Sequence, residues 1–528
     1  MPFEGENRRE KIIVLLTMCF ALFMAMLDNT VVNVALPTIS RDLHAGVSEL
    51  QWIVDGYVLA FASLLLTGGI LGDRYGRRKM FLTGLAVFTL SSLACGVSAN
   101  TAQLIGFRAL QGVGAALLMP GTLSIITVTF PPQERAKAIG IWAGVSGLAL
   151  ALGPTLGGWM VEHVGWQSVF FLNVPIGAIG IVTAWKVVRE SVSEETRYLD
   201  IAGLLLGTGA LFSVTYGLIE ANQKGWSDPL IVSSLVAAAV LLLAFLAYEH
   251  RTEHPMMPLP FFRIPAFSAG NAVAFSISLG MFGSFFFVSL YMQFIRGYTP
   301  FQAGVRFLPL TGMIVITAPN AGRVAQKYGS RLPMTVGLAM ASVGLFSLSR
   351  VTATTPYAAM IPMMILMGVG IASTMSPMTA AVMNSVGPQR AGLGSAMTNT
   401  SREVGGVFGI ALLGTLLTST LKGAIDLAGI GLSASQTASI DQAAGHGTLS
   451  ADLLAKLGLS PQQIGAVFTR YGEAFMTGYH LALGVGALVL LLACFVAYRS
   501  IPSGAPKHDA AHAAHPDAET VPVPAEPA

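Results

Sequence analysis

GILGDRYGRR at residues 69–78 and GRVAQKYGSR at residues 322–331 align without a gap at an offset of 253 positions. Gly69 meets Gly322, Arg74 meets Lys327, Tyr75 meets Tyr328, Gly76 meets Gly329 and Arg78 meets Arg331. Each stretch leaves an apolar run and turns on a cluster of positive charge. Two copies with the same rank and the same orientation imply two halves related by an axis along the membrane normal, an arrangement built for alternating access. Gln326 breaks the match, standing where the first copy has Asp73.

The rest of the chain supports a bilayer setting. Of 528 residues, 53% are hydrophobic and 11% are charged, and the mean hydropathy is +0.65, far from a soluble globular composition. The lipid bilayer is therefore the first expected partner. The formal net charge of +3 fits the gathering of Lys and Arg on one side of a membrane and implies no nucleic acid. Cys19, Cys95 and Cys494 fall inside apolar runs, as packed free thiols do, so neither a disulfide nor a metal site is expected. The apolar run from about Ile12 follows Arg8, Arg9 and Lys11 and is too long for a signal-peptide core, which predicts a retained first helix.

Runs of about 20 apolar residues can each cross the hydrocarbon as a helix. They fall at 12 to 36, 51 to 71, 78 to 98, 102 to 128, 138 to 161, 167 to 187, 199 to 219 and 229 to 248, then 267 to 291, 302 to 325, 332 to 349, 357 to 379, 395 to 420 and 476 to 498. The expected fold is an all-α polytopic membrane protein with 14 transmembrane helices. Residues 1–190 form one six-helix half, 191–265 two inserted helices, 266–499 the second pseudo-symmetric half, and 500–528 a disordered cytoplasmic tail. With the N-terminus inside, 21 of the 30 Lys and Arg residues fall on the cytoplasmic side and 7 outside, with Arg108 and Arg306 in spans, so both termini are predicted cytoplasmic in a cell membrane. The stretch 421–475 is external; Ser450 and Ser460 each open a capped-helix pattern, and a packed element and a solvated loop both remain open. His508, His512 and His515 sit in the Ala/Pro-rich tail and read as solvated.

With GGILGDRYGRRKMFL at 68–82, RALQGVGAALLMP from Arg108, GLALALGPTLGG ending at Gly158 and LDNTVVNVALP at 27–37 on the page, the chain resembles the major facilitator superfamily, and within it the 14-spanning drug:proton antiporters. The resemblance covers about residues 10 to 500. It implies efflux of small lipophilic, cationic drugs or antibiotics, protons as coupling ion with no other cofactor, and function as a monomer. Gln326 in place of Asp73 concentrates the family's gate chemistry in the first half.

Each motif also has a physical reading. At the gate loop, Asp73 can pair with Arg77 or face a helix N-terminus of the other half. Gly69 permits close helix approach and Gly76 a tight turn. Arg74, Arg77 and Arg78 supply positive charge; a charged latch is expected, against a plain basic anchor. Pro154 should kink its helix, and Gly153, Gly157 and Gly158 leave a bare face, either a flexing interface or an ordinary packing groove.

Asp28 is a carboxylate inside an apolar span, where it costs about 2.5–3.5 kcal/mol on insertion scales. It is a proton or cation site, unless Arg108 pairs with it permanently. Arg108 needs a partner from among Asp28, Asp55 and freed carbonyls, and the resemblance gives it a part in proton coupling. Glu403 is a second proton or cation candidate, or a residue of the cytoplasmic entrance. Asn29 and Asn33, one turn apart, suggest a polar cavity lining. Asp55 is expected near the outer mouth, in contact with substrate or with water. Met367 and Met375 belong to a Met-rich helix that lines an adaptable pocket or fills a core.

No H-E-x-x-H pair, G-x-S-x-G elbow or P-loop accompanies the spans, so protease, lipase, other enzyme and ATP-driven pump chemistry have no carrier here. The rivals are a narrow-substrate metabolite or antibiotic exporter, and an uncoupled uniporter, lipid scramblase or sensor on the same fold.

Overall fold

The computed structural model describes residues 8–192, 200–253, 255, 257, 259–386, 391–421, 427, 430–446, 449 and 451–503. The side chain of Gln326 and the tail beyond residue 503, with its three histidines, lie outside the described residues.

The first helices are α1 (Arg8–Leu43), α2 (Val47–Tyr75), α3 (Arg77–Gly96), α4 (Thr101–Thr129), α5 (Pro132–His163), α6 (Ser168–Phe171) and α7 (Asn173–Val187). Then come α8 (Ile201–Lys224), α9 (Pro229–Arg251), α10 (Pro265–Leu290), α11 (Pro300–Arg306) and α12 (Leu308–Tyr328). The last are α13 (Arg331–Leu348), α14 (Tyr357–Val386), α15 (Ala391–Leu421), α16 (Ala434–His446), α17 (Ala451–Lys456) and α18 (Pro461–Ser500). Among the described residues 12 helical segments are long and apolar enough to span a bilayer, or 13 with the bent α2 taken as one span. The 32-residue α5 stands between α4 and α6, so the helix order is compatible with the expected fourteen.

Starts and stops follow the sequence. Asn100 accepts from the Gln103 N–H, and Thr299 and Ser460 form full capping boxes with Gln302 and Gln463, satisfying N–H groups that the first turn leaves without partners. Gly76 (φ 112°) and Gly329 (φ 84°) close the α2–α3 and α12–α13 turns in backbone conformations that side chains resist.

The repeat extends into packing. A Cβ on Gly84 of α3 would lie 2.8 Å from the Gly114 carbonyl and 2.6 Å from the Leu118 N of α4; a Cβ on Gly337 of α13 would lie 2.8 Å from the Gly370 carbonyl and 2.6 Å from the Thr374 hydroxyl of α14. The same small residue lets the same two helices cross closely in each set. α1 to α7 pack mainly on one another, as do α10 and α12 to α15 with α18, while the short α11 lies chiefly on α5. The sets meet where α2 lies on α15 and α5 lies on α11 and α12.

Two features add to the sequence picture. α8 packs on α2 and α15 at once, so the insert bridges the sets. The stretch before α18 is a packed helical element where described: α16 lies on α15 and α8, and Ile440, Leu454 and Leu459 are buried.

Candidate functional site

The bundle has a basic face, with Arg8, Arg74 to Lys79, Lys327, Arg331 and Arg499 at helix ends, and an opposite face where α1 meets α2 and α16 sits. Between them Asp28 and Arg108, both buried, pair at 2.5 Å. Asp28 also accepts from the Gln111 amide at 2.9 Å and the Asn173 amide at 2.8 Å. Arg108 donates further to the Ile53 carbonyl at 3.1 Å and to Gln111 at 2.8 Å, and its guanidinium lies 4.2 Å from the centre of the Tyr57 ring. One carboxylate thus ties α1 to α4 and α7, while its partner reaches α2. Charge-assisted bonds of this kind are about twice as strong as neutral ones.

Gln111, Asn173, Tyr57 and Ser92, which accepts from Asn173 at 3.0 Å, are additions to the candidates read from the sequence. Gln111 is one helical turn from Arg108 and was legible as such. Asn173 was signalled by being an amide in an apolar span; Tyr57 carried no signal.

Of the three candidate partners of Arg108, Asp28 and a backbone carbonyl hold it and Asp55 does not. Asp55, one helical turn past the Gln51 that bonds to α15, is 0% exposed rather than open to water or substrate, and neither carboxylate oxygen has a hydrogen-bond partner among the described residues. Glu403 is buried on α15, two turns from Ile410 on the flank facing α2, and its Oε2 has no described partner.

Asn29 and Asn33 lie at the seam between sets. The Asn33 amide donates to the Asn29 carbonyl at 2.9 Å, and Ser289 of α10 donates to the Asn33 carbonyl at 2.9 Å. Met367 is 0% exposed with its Cβ 2.9 Å from where Gly344 of α13 would carry one, so it belongs to the core of its own set and not to an open pocket. Met375 is half-buried two turns on.

GPTLGG serves two surfaces. A Cβ on Gly153 or Gly157 would run into Thr30 or Val31 of α1, within the set. A Cβ on Gly158 would lie 2.8 Å from the Phe301 Cα, and one on Gly304 would lie 2.7 Å from the Pro154 carbonyl carbon, between sets. Packing groove and inter-set interface therefore coexist on successive faces of one turn. α5 continues through Pro154 as one helix.

The gate loop also departs from expectation in part. Asp73 pairs with Arg77 at 2.8 Å. The carboxylate at a helix N-terminus is Glu190, which accepts from the Arg78 and Lys79 N–H groups at 3.1 Å each, and it belongs to the same set. Arg78 caps the other way, donating to the Trp185 carbonyl at 2.6 Å, and Arg74 lies over the Tyr75 ring. Close helix approach falls to Gly68, where an added Cβ would strike the Ala116 backbone, while one on Gly69 would make only ordinary contact with Pro120 at 3.6 Å.

Hydrogen bonds joining the two sets among the described residues lie toward the opposite face. Besides Ser289 to Asn33, Gln293 donates to the Val34 carbonyl at 3.0 Å, Gln51 to the Ile410 carbonyl at 2.9 Å and Thr155 to the Gly304 carbonyl at 3.3 Å. Glu162 accepts from the Phe301 N–H at 3.1 Å, a first-set carboxylate on a second-set helix N-terminus, which favours negative charge. The cross-set electrostatic contact anticipated for Asp73 is thus made by Glu162 at the other end of the bundle.

The family model described as Major Facilitator Superfamily matches residues 18–410. The chain is 38% identical over 406 residues to the tetracenomycin C resistance and export protein of Streptomyces glaucescens, covering 77% of this chain and 76% of that one. It is 40% identical over 404 residues to the methylenomycin A resistance protein of Streptomyces coelicolor, covering 75% and 84%. Among solved structures, a bacterial homologue of the human lysosomal transporter Spinster, inward-facing and occupied, superposes with a TM-score of 0.67 at 18% identity, over 94% of this chain and 98% of that one.

Proposed function

Because this chain belongs to the major facilitator superfamily, we propose that it exports small lipophilic, cationic drugs or antibiotics from the cell in exchange for protons. The observation that carries the reading is a pair of helix sets joined by hydrogen bonds toward one face, around a buried carboxylate–guanidinium pair. Resistance and export proteins among the relatives support antibiotic export, and the cationic preference rests on the buried carboxylates.

The basic face is cytoplasmic by the positive-inside rule. The bonded seam then lies outside, and the structure is the inward-facing member of an alternating pair. A cationic substrate loads from the cytoplasmic side toward Glu403. Asp28 is the proton site: adding a proton to it removes the charge that holds Arg108 and loosens three donors on two helices. Local proton binding is thereby coupled to how α1 sits against α4 and α7. Asp73 and Arg77 tune the cytoplasmic end.

The test is a panel of cationic and neutral antibiotics applied to drug-sensitive cells with and without the protein. Lower accumulation of several cationic members, abolished by collapsing the proton gradient, is the expected result. Lower accumulation of one member alone indicates a narrow-substrate exporter. Accumulation unaffected by the gradient overturns the coupling.

A further inference from the structure

Asp55 stands one helical turn past Gln51 and Trp52 on α2, and those two residues bind the helices that close over that flank. Gln51 donates to the Ile410 carbonyl of α15 at 2.9 Å; Trp52 donates to Glu220 of α8 at 3.0 Å and packs on Phe212 and Tyr216 of α8. α8 in turn is held at two adjacent carbonyls by the two sets. Ser48 of α2 donates to Ile219 at 3.4 Å, and Thr415 of α15 donates to Leu218 at 2.6 Å. An inserted helix thus clasps both sets at the end where the seam is closed, and Asp55 lies beneath the clasp.

The surrounding charges do not serve Asp55. Asp28 on α1 and Arg108 on α4 are bonded to each other, and Glu220, Tyr216 and Lys224 on α8 are engaged with Trp52 or one another. Arg402 and Glu403 on α15, and Glu49 and Tyr57 on α2 itself, make no bond to it. A sealed carboxylate without donors is strongly disfavoured as an anion, and the neutral acid is the form that fits.

We infer that Asp55 is a proton-binding site gated by α8: it carries a proton while α2, α8 and α15 are closed over it, and it exchanges with water at the opposite face once they part. The inference rests on the reading of that face as external. A proton from external water adds to one carboxylate oxygen, and the helices close over the neutral group. Acid on that face therefore favours closure and alkali opposes it. The inserted pair gains a role that the twelve other spans do not supply, the sealing of a titratable group.

Infrared spectra of the purified protein in lipid test this directly, comparing wild type, Asp55→Asn and the clasp variant Thr415→Val. The expected result is a protonated-carboxyl band in the wild type at neutral pH that is missing from Asp55→Asn. In heavy water the band should shift slowly in the wild type and several-fold faster in Thr415→Val. Identical carboxyl regions in wild type and Asp55→Asn, or equal exchange in wild type and Thr415→Val, overturn the proposal. If Asp55→Asn does not yield monodisperse protein, the exchange comparison still decides. Drug accumulation by the same wild-type vesicles under a pH gradient separates the two readings, since its failure removes antiport and leaves the band untouched.

Discussion

The two sets of six spanning helices cross their members in the same way and fill those crossings with opposite chemistry. In the first, α1, α4 and α7 are tied through Asp28, Arg108, Gln111 and Asn173. In the second, α10 and α14 carry Met281, Phe286, Phe287, Met364 and Ile371 into a buried apolar interior. The gate loops differ likewise. Arg77 is held by Asp73 and the start of α3 by Glu190, whereas Arg331 lies 4.3 Å from the centre of the Tyr498 ring and Lys327 lies over Tyr328. Bonds to carboxylates respond to protonation and ring contacts do not. Protonation can therefore rearrange the crossings of the first set, whereas those of α10 with α14 in the second are held by apolar packing.

The largest break in that contrast should come from Arg108→Ala. Removing one partner of a buried ion pair typically costs about 3–5 kcal/mol because the other charge is stranded. Thermal unfolding in detergent should show a large loss for this variant and a smaller one for Met364→Leu, which conserves volume. Equal losses would mean the polar centre is no more structural than the apolar one.

Next in size is the seam between the sets. Gly158→Val places side-chain atoms where Phe301 lies 2.8 Å from a bare Cβ, while Gly153→Val crowds Thr30 inside one set. The first should fold and shift the protein toward opening at the opposite face, read as faster labelling of an introduced Ser289→Cys. The second should lower stability without that shift. Matching labelling in both would merge the two surfaces of GPTLGG into one.

Smaller effects belong to the gate loops. Asp73→Asn removes a partly exposed i,i+4 pair, worth about 0.3–0.5 kcal/mol, so stability should hardly change while drug efflux slows several-fold. Arg331→Gln on the second side should leave efflux near the wild-type rate. A slower Arg331→Gln than Asp73→Asn would reverse the assignment of gating to the first set.

Much of this was legible in the sequence. The 253-residue offset of GILGDRYGRR and GRVAQKYGSR anticipated the paired Gly76 and Gly329 turns, because positive-φ turns demand glycine. Asp28 and Arg108 stood out as charges in apolar spans, and burial left them little choice but each other. Contacts fixed by docking were not legible. Nothing in QWIVDGY tells that α8 and α15 bind Trp52 and Gln51 one turn before Asp55, since that depends on where an inserted helix lands. Glu190 and Glu162 are ordinary helix-end carboxylates until the helix N-termini they face are known. Close approach was assigned to Gly69 and falls to Gly68, because a motif marks position but not helix rotation.

The central claim is that Asp28 binds the proton that drives export. Purified protein in liposomes, loaded with a cationic drug that it exports and given an imposed pH gradient, should move the drug uphill with measurable counterflow of protons. Asp28→Asn, monodisperse and still able to exchange drug downhill, should show neither uphill transport nor coupled proton movement. Full coupling in Asp28→Asn would contradict the account and leave Asp28 as a structural partner of Arg108.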